Sequence, residues 1–377
     1  MTIDYILNGQ GYGDVANGLM DYGMDPQLMR PFFDSKGRDC VLVNTGETDE
    51  EGNPIYAKEL TANAEAMGLL VNGPTTLRKD DWIRFDRAVI MAARARLRAW
   101  ADLSARNSYG GFNGMAKTIL EHETVSDPGE AIMDMDGDTP GRNFEPKFQL
   151  EGLPLPITHS DFHIAKRRLL VSRQGGTPLD TMKASVAGRR VAETIEQTLI
   201  GTATAFAYGP QSGTYGTAPK VYGYINHPDR ITKTDLNTPD GTNGEDVLTD
   251  VLEMIQAAND ANFFGPFMLY HSTPYSVYLD NLFSTTEPSA GTLRNRIREI
   301  DEIQDVRRLD YLTSGYQLIL VQMTEDVARA VNGMDITTVQ WDSHGGNRVN
   351  FKVMTIQVPQ LRSDYNGNMG LVHGTTS

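Results

Sequence analysis

The stretch TPLDTMKASVAGRRVAETIEQTLIG, Thr177–Gly201, decides how this chain is read. Thr177 offers an N-cap oxygen, Pro178 has its φ preset for the first helical position, and Asp180 places an acid in the first turn. Met182, Val186, Ile195 and Leu199 keep spacings near four, as one stripe of a helix does. Gly201 then supplies a stop. The pattern predicts a helix over 179–200, ~30 Å long at ~1.5 Å per residue, which suits a strut.

Immediately upstream, LPLPITHSDFHI (Leu153–Ile164) places His159, Asp161 and His163 two apart. A zinc ion holds its ligands at ~2 Å, so three donors must converge. On a strand the three share a face, but His159 and His163 stand ~13 Å apart. If instead Ser160 caps a short helix through about Ser172, ended by Gly175 and Gly176, Asp161 and His163 diverge by ~200°. The helix is the reading adopted here, and neither geometry makes a metal trio. His122, His227, His271, His344 and His373 show no ligand spacing, so no metal or other cofactor is expected.

The N-terminal residues 1–79 are rich in Gly, Asn, Asp and Met without a sustained period, and are read as a flexible arm ordered against a partner surface. Within them GQGYGDVANG resembles a phosphate loop, but no apolar strand precedes Gly9, Gly11 and Gly13 and the last fingerprint glycine is missing. Over 80–103 the pattern turns helical, with Trp82, Val89, Ile90, Ala93, Leu97 and Trp100 on one stripe and arginines on the remainder. MAKTILEHETVSD (115–127) and EPKFQLEG (145–152) alternate as two strands flanking a polar tip. Asp134, Asp136 and Asp138 resemble the start of a calcium loop, yet Thr139 stands where its glycine belongs and no closing Glu follows.

Beyond the Gly/Thr/Tyr-rich segment 201–219 the pattern is α/β. EDVLTDVLEMIQAAND is an amphipathic helix, GPFMLYHS a buried strand, and Ser272-Thr273-Pro274 opens another helix. TLRNRIREIDEI reads as helical and YQLILVQM as a strand, while ITTVQWDS and RVNFKVMTIQVPQLR read as long strands.

A chain of 377 residues buries a large core. Net charge is −15, which argues against an open nucleic-acid groove without excluding a container that encloses nucleic acid. The single Cys40 excludes an internal disulfide framework. No apolar run approaches the ~20 residues of a membrane helix, so no membrane partner is expected. Nucleophilic catalysis lacks a G-x-S-x-G elbow, and Cys40 has no neighbouring His. No catalytic residue is assigned.

GLPLPITHSDFHIAKRRLLVSRQGGTPLDTMKASVAGRRVAETIEQTLIGTATAFAYG, followed by VYGYINHPDR and ANFFGPFMLYHSTPYSVYL, resembles the tailed-bacteriophage major capsid proteins and their relatives, the encapsulins. The resemblance spans roughly 80–362 and implies an α+β, Hong Kong 97-type capsid fold. It implies an N-terminal arm over 1–111 including helix 80–103, and an extended loop over 112–160. It further implies a peripheral domain of 161–220 and 331–377 around spine helix 179–200, and an axial domain of 221–330. The function implied is a structural, non-enzymatic subunit that self-assembles into pentamers and hexamers of an icosahedral head around double-stranded DNA. It would be assembled in the host cytoplasm and reside in the virion. Expected partners are further copies, a portal, and scaffold or decoration proteins.

The loop tip, with Met133, Asp134, Met135, Asp136, Asp138 and Arg142, would contact a neighbouring subunit, and Arg84, Arg87, Arg94 and Arg98 are candidates to face the lumen. Some relatives crosslink a loop Lys to a neighbour's Asn. Here no Lys lies between Asp127 and Asn143, and Lys147 falls beyond, so no crosslink is expected. The competing readings are an encapsulin-type nanocompartment and a metal-dependent hydrolase using His159 and His163.

Overall fold

The computed structural model describes residues 32–33, 38–48, 54–60, 79–94, 97–126, 133, 135–136, 145–168, 171, 181–209, 219–240, 244–283, 291–343 and 347–376. Strands β1 (Phe32–Phe33), β2 (Asp39–Thr48) and β3 (Pro54–Leu60) form an antiparallel sheet in that order. Within the arm expected over 1–79, these described residues are strands, which the sequence reading did not pick out. Val41, Leu42 and Val43 favour a strand, but so short a run does not stand out among its Gly, Asn and Asp neighbours. The glycine-rich piece at 9–18 lies outside the described residues.

Two helices, α1 (Lys79–Arg94) and α2 (Ala99–Arg106), replace the single helix predicted over 80–103. At the start of α2 the backbone N–H groups of Ala99 and Trp100 donate to the Glu196 carboxylate at 2.7 and 3.1 Å. Orphan donors of a helix start are thus met by a side chain nearly a hundred residues away.

Strand β4 (Ser108–Tyr109) and a 3₁₀ turn (Gly114–Ala116) lead into β5 (Ile119–Val125) and β6 (Phe148–Pro154), paired antiparallel. Next comes β7 (Thr158–Ala165), a strand where a helix capped by Ser160 was predicted. Its alternation explains the outcome. His159, Asp161 and His163 are exposed, while Phe162 and Ile164 turn inward, and β7 lies antiparallel along β15 (Arg348–Leu361). Helical backbone resumes only at 166–168, and the Gly175-Gly176 stop lies outside the described residues.

Helix α3 (Met182–Ile200) is the expected strut. Thr181 precedes it without a side-chain cap, and the predicted cap at Thr177–Asp180 lies outside the described residues. Gly201 closes it at φ 93°, a left-handed conformation that glycine adopts without cost. The buried stripe is Ala184, Ala187, Val191, Ile195 and Leu199; Met182 and Val186, which the spacing puts on one stripe with Ile195 and Leu199, are exposed. Small residues win that face because α1 crosses it closely: a Cβ on Gly188 would stand 2.7 Å from the Val89 carbonyl oxygen.

The remainder comprises β8 (Phe206–Ala207), β9 (Lys220–Val221), β10 (Ile231–Leu236), α4 (Gly244–Asp260), β11 (Phe267–His271), α5 (Ser276–Leu279) and α6 (Leu293–Arg298). Then follow β12 (Ile303–Arg308), β13 (Gln317–Gln322), β14 (Ala328–Ser343), β15 and β16 (Leu371–Thr376). A mixed five-stranded sheet runs β10-β16-β13-β11-β12, and a four-stranded sheet runs β4-β14-β15-β7.

Period-two alternation splits the five-stranded sheet between two cores. Met268, Tyr270, Ile319, Val321 and Leu371 face a core shared with α1, α2, α3 and the four-stranded sheet. Phe267, Leu269, Leu318, Leu320 and Val372 face α4, α5 and α6. Residues 371–376, which the resemblance assigns with 331–377 to the peripheral domain, pair with β13 and β10, and both faces of LVHG are buried as in a central strand.

Candidate functional site

The most exposed apolar side chains belong to the β5–β6 excursion. Its ladder runs from Thr118 and Leu155 (N–H to carbonyl, 2.9 Å) to Ser126 and Lys147 (2.9 Å). At ~3.4 Å per residue that is a finger of ~27 Å. His122 Nε2 stands 3.2 Å from Glu151 Oε2 across it, and the imidazole beside it holds the Glu151 carboxyl below its ordinary value. Leu120, Leu153 and Leu155 root the finger in a third cluster with Val221, Met334, Met354 and Ile356. Toward the tip Val125 and Phe148 are exposed, and Met133 and Met135 are 94% and 99% exposed. Asp136 is exposed beside them; Asp134, Asp138 and Arg142 lie outside the described residues.

His159 Nδ1 lies 3.1 Å from Asp161 Oδ1, and Lys352 reaches the other Asp161 oxygen at 3.5 Å. His159, Asp161 and Lys352 therefore form a polar cluster on the exposed face of β7. Among the described residues no group of three His, Cys, Asp or Glu could hold a metal. His271 and His373 are buried and desolvated, each depressed to about 4. Their rings meet Ser272 O at 3.0 Å and Gln317 Oε1 at 3.0 Å, as packed neutral imidazoles do.

The predicted arginines do not form one group. Arg84 and Arg87 are exposed on α1, the side chain of Arg94 lies outside the described residues, and Arg98 pairs with Asp310 at 3.4 Å. Arg307 pairs with Asp102, whose other oxygen accepts from Tyr270 Oη at 3.2 Å. Burial raises the Asp102 carboxyl above its ordinary value against the opposing pull of Arg307. These contacts tie α2 to the five-stranded sheet. Beside them Glu196, 2% exposed, is pushed up to about 7 by desolvation, which outweighs the two backbone N–H bonds it accepts. Sequence reasoning missed Glu196. The one local signal is a carboxylate one residue along from Ile195 on a buried stripe.

The segment VYGYINHPDR earns its recognisability at the end of α3. The N–H groups of Tyr224 and Ile225 donate to the Leu199 and Ile200 carbonyls at 2.9 and 3.0 Å. Asn226 accepts from Gly223 N at 2.6 Å and donates to Gly201 O at 3.3 Å. The last carbonyls of the strut are thereby met by the turn that follows β9.

The model of a family of unknown function, DUF6260, matches residues 67–374. The chain belongs to this family. No curated protein matches the sequence. Among solved structures, a virus-like particle from Pyrococcus furiosus superposes with a TM-score of 0.52 at 16% identity, covering 77% of this chain and 97% of that one. The capsid of Myoviridae phage XM1 gives 0.54 at 10% identity, covering 73% and 92%. A chain of Mycobacterium phage Bobi gives 0.51 at 12% identity, covering 73% and 90%. The DUF6260 chain thus has an α+β fold of the Hong Kong 97 type. Among the described residues no helix is long and apolar enough to cross a membrane.

Proposed function

We propose that this chain is a shell subunit: the major capsid protein of a tailed phage, assembling into pentamers and hexamers of an icosahedral head around double-stranded DNA. The observation that carries the reading is the ~27 Å finger ending in two fully exposed methionines, on a fold otherwise similar to capsid chains. An isolated two-stranded ribbon is marginal in water, and large exposed apolar groups mark interaction sites. Laid on a neighbouring copy, the finger gains buried area, and many modest symmetric contacts add to a durable shell.

On this reading 112–160 is the extended loop, α3 the spine of a peripheral domain, and 221–330 the axial domain joined by β16. The role is structural, with no catalytic residue. Assembly in the host cytoplasm, a portal, and scaffold or decoration proteins belong to the same proposal. A second reading, a nanocompartment shell holding a cargo protein, is favoured by the fit to the archaeal virus-like particle along nearly its whole length. Sedimentation velocity of the full chain tests both: a uniform megadalton species is expected, and only small oligomers under all conditions would overturn them. DNA-filled, portal-bearing heads against cargo-filled tailless shells separate the two.

A further inference from the structure

At the root of the finger lies a cavity of about 180 Å³, lined by Met115, Lys117, Leu155 and Ile157, with Phe206 and Tyr208 from the β8 segment. Four of these apolar side chains, Met115, Ile157, Phe206 and Tyr208, are exposed. A cavity of ~150 Å³ with apolar walls takes up benzene, so this one has room for a single large side chain. We infer that the cavity is a socket for the finger-tip methionine Met135 of a second copy of this chain. The inference rests on the shell reading above and names the contact that reading leaves unspecified.

Three observations select the occupant. The continuous ladder from Thr118–Leu155 to Ser126–Lys147 fixes both ends of the tip segment ~27 Å from the root, which presents the tip to a neighbour. Methionine is the side chain best able to fit an irregular aromatic-walled space, through its flexibility and its sulfur–ring contacts. Charge agrees as well: the tip carries Asp136 beside Met135, and the socket rim carries Lys117, which sits 5.5 Å from the Phe112 ring. The larger groove of about 540 Å³ between α1, α2 and β14 fits worse. Its lining includes Asp335 with Asn332, Gln357 and two serines, an acid and dipoles where the tip brings its own acids. Knob and socket at different places on one chain make a head-to-tail contact, which closes into rings when the rotation permits.

The test uses two full-length variants, both carrying Cys40→Ala, one with Met135→Cys and one with Tyr208→Cys, co-expressed and oxidised after assembly. The expected result is shells in which the two variants join in a disulfide, while Met135→Cys with Val186→Cys, an exposed position on α3, does not. Because each cysteine sits on a different chain, the bond can only be intermolecular. Shells that form without the bond overturn the socket and leave the shell reading standing; absence of shells overturns both. A second arm needs no cysteine. Lys117→Glu should lower shell yield roughly tenfold by setting like charges together, and Asp136→Lys in the same chain should restore it. Yield unchanged by Lys117→Glu, or not restored by the double variant, counts against the contact.

Discussion

Replacing Glu196 by glutamine removes a buried titration while keeping the shape of the side chain. Its carboxyl is raised from an ordinary 4.5 to about 7, chiefly by desolvation, with the nearby Asp102 charge adding in the same direction. The folded chain therefore holds this proton more tightly than the unfolded chain. Below about pH 4.5 both states are protonated and the group costs nothing. As pH climbs from 4.5 to 7 the unfolded chain releases the proton first, and stability falls. Above about 7 the deficit levels off. At ~1.36 kcal/mol per pH unit the whole deficit is about 3 kcal/mol.

Because the Gln amide nitrogen cannot accept the second of the two N–H bonds that Glu196 receives, Glu196→Gln should lie below the wild type near pH 4.5 and recover relative to it by up to about 3 kcal/mol at pH 8. Denaturant unfolding of the unassembled chain at both pH values reads the difference directly. Asp250, also raised by burial but with no contribution from Glu196, shifts both proteins alike and cancels in the comparison, whereas Asp102, whose charge acts on Glu196, cancels only in part. A wild-type minus variant difference that stays constant from pH 4.5 to 8 would refute the reasoning.

Gly188→Ala gains about 1 kcal/mol of helix propensity yet should lower Tm, because the new Cβ meets the Val89 carbonyl at 2.7 Å and forces α1 off α3; a raised Tm would show that the crossing can relax. Phe351→Ala should cost about 3–5 kcal/mol by removing one ring of the mutually packed Phe85–Phe162–Phe351 triad, its centroid 5.7 and 5.0 Å from the other two; chemical denaturation measures it. Replacing 127–146 by Asn-Gly closes β5 directly on β6, and should leave the circular dichroism spectrum of the subunit intact while abolishing megadalton particles. Boiled shells should run as a single monomer band on a denaturing gel, since no Lys stands at the tip; a ladder of multimers would contradict this.

Local signals carried the parts of the fold that local physics decides. The strut was legible because its termination at Gly201 and its helical period lie within twenty-odd residues. The finger was legible because the alternation in ILEHETV and the turn-rich tip are contiguous. Where the deciding partner lies far along the chain, the sequence misled. The break between α1 and α2 coincides with Glu196, and β7 is a strand because Arg348–Thr355 lies beside it. Ser160 offered a plausible helix cap there, although the alternation of His159, Asp161 and His163 with Ser160, Phe162 and Ile164 was present in the same eight residues.

Met182 and Val186 were misplaced for a related reason. Hydrophobicity favoured them, but close helix crossing selected Ala184, Ala187 and Gly188. Of the candidate site, the exposed methionines were readable from the turn-rich context of the tip. The socket was not, because its walls come from the 114–118, 154–157 and 206–208 segments, which only the fold brings together.

Electron microscopy of the full chain expressed by itself or with its neighbours in the genome addresses the shell most directly. Closed particles of uniform diameter, with each β5–β6 finger resolved across an adjacent copy, are the predicted result. A chain that stays a compact monomer or small ring, its finger pointing into solvent in every class, would contradict it.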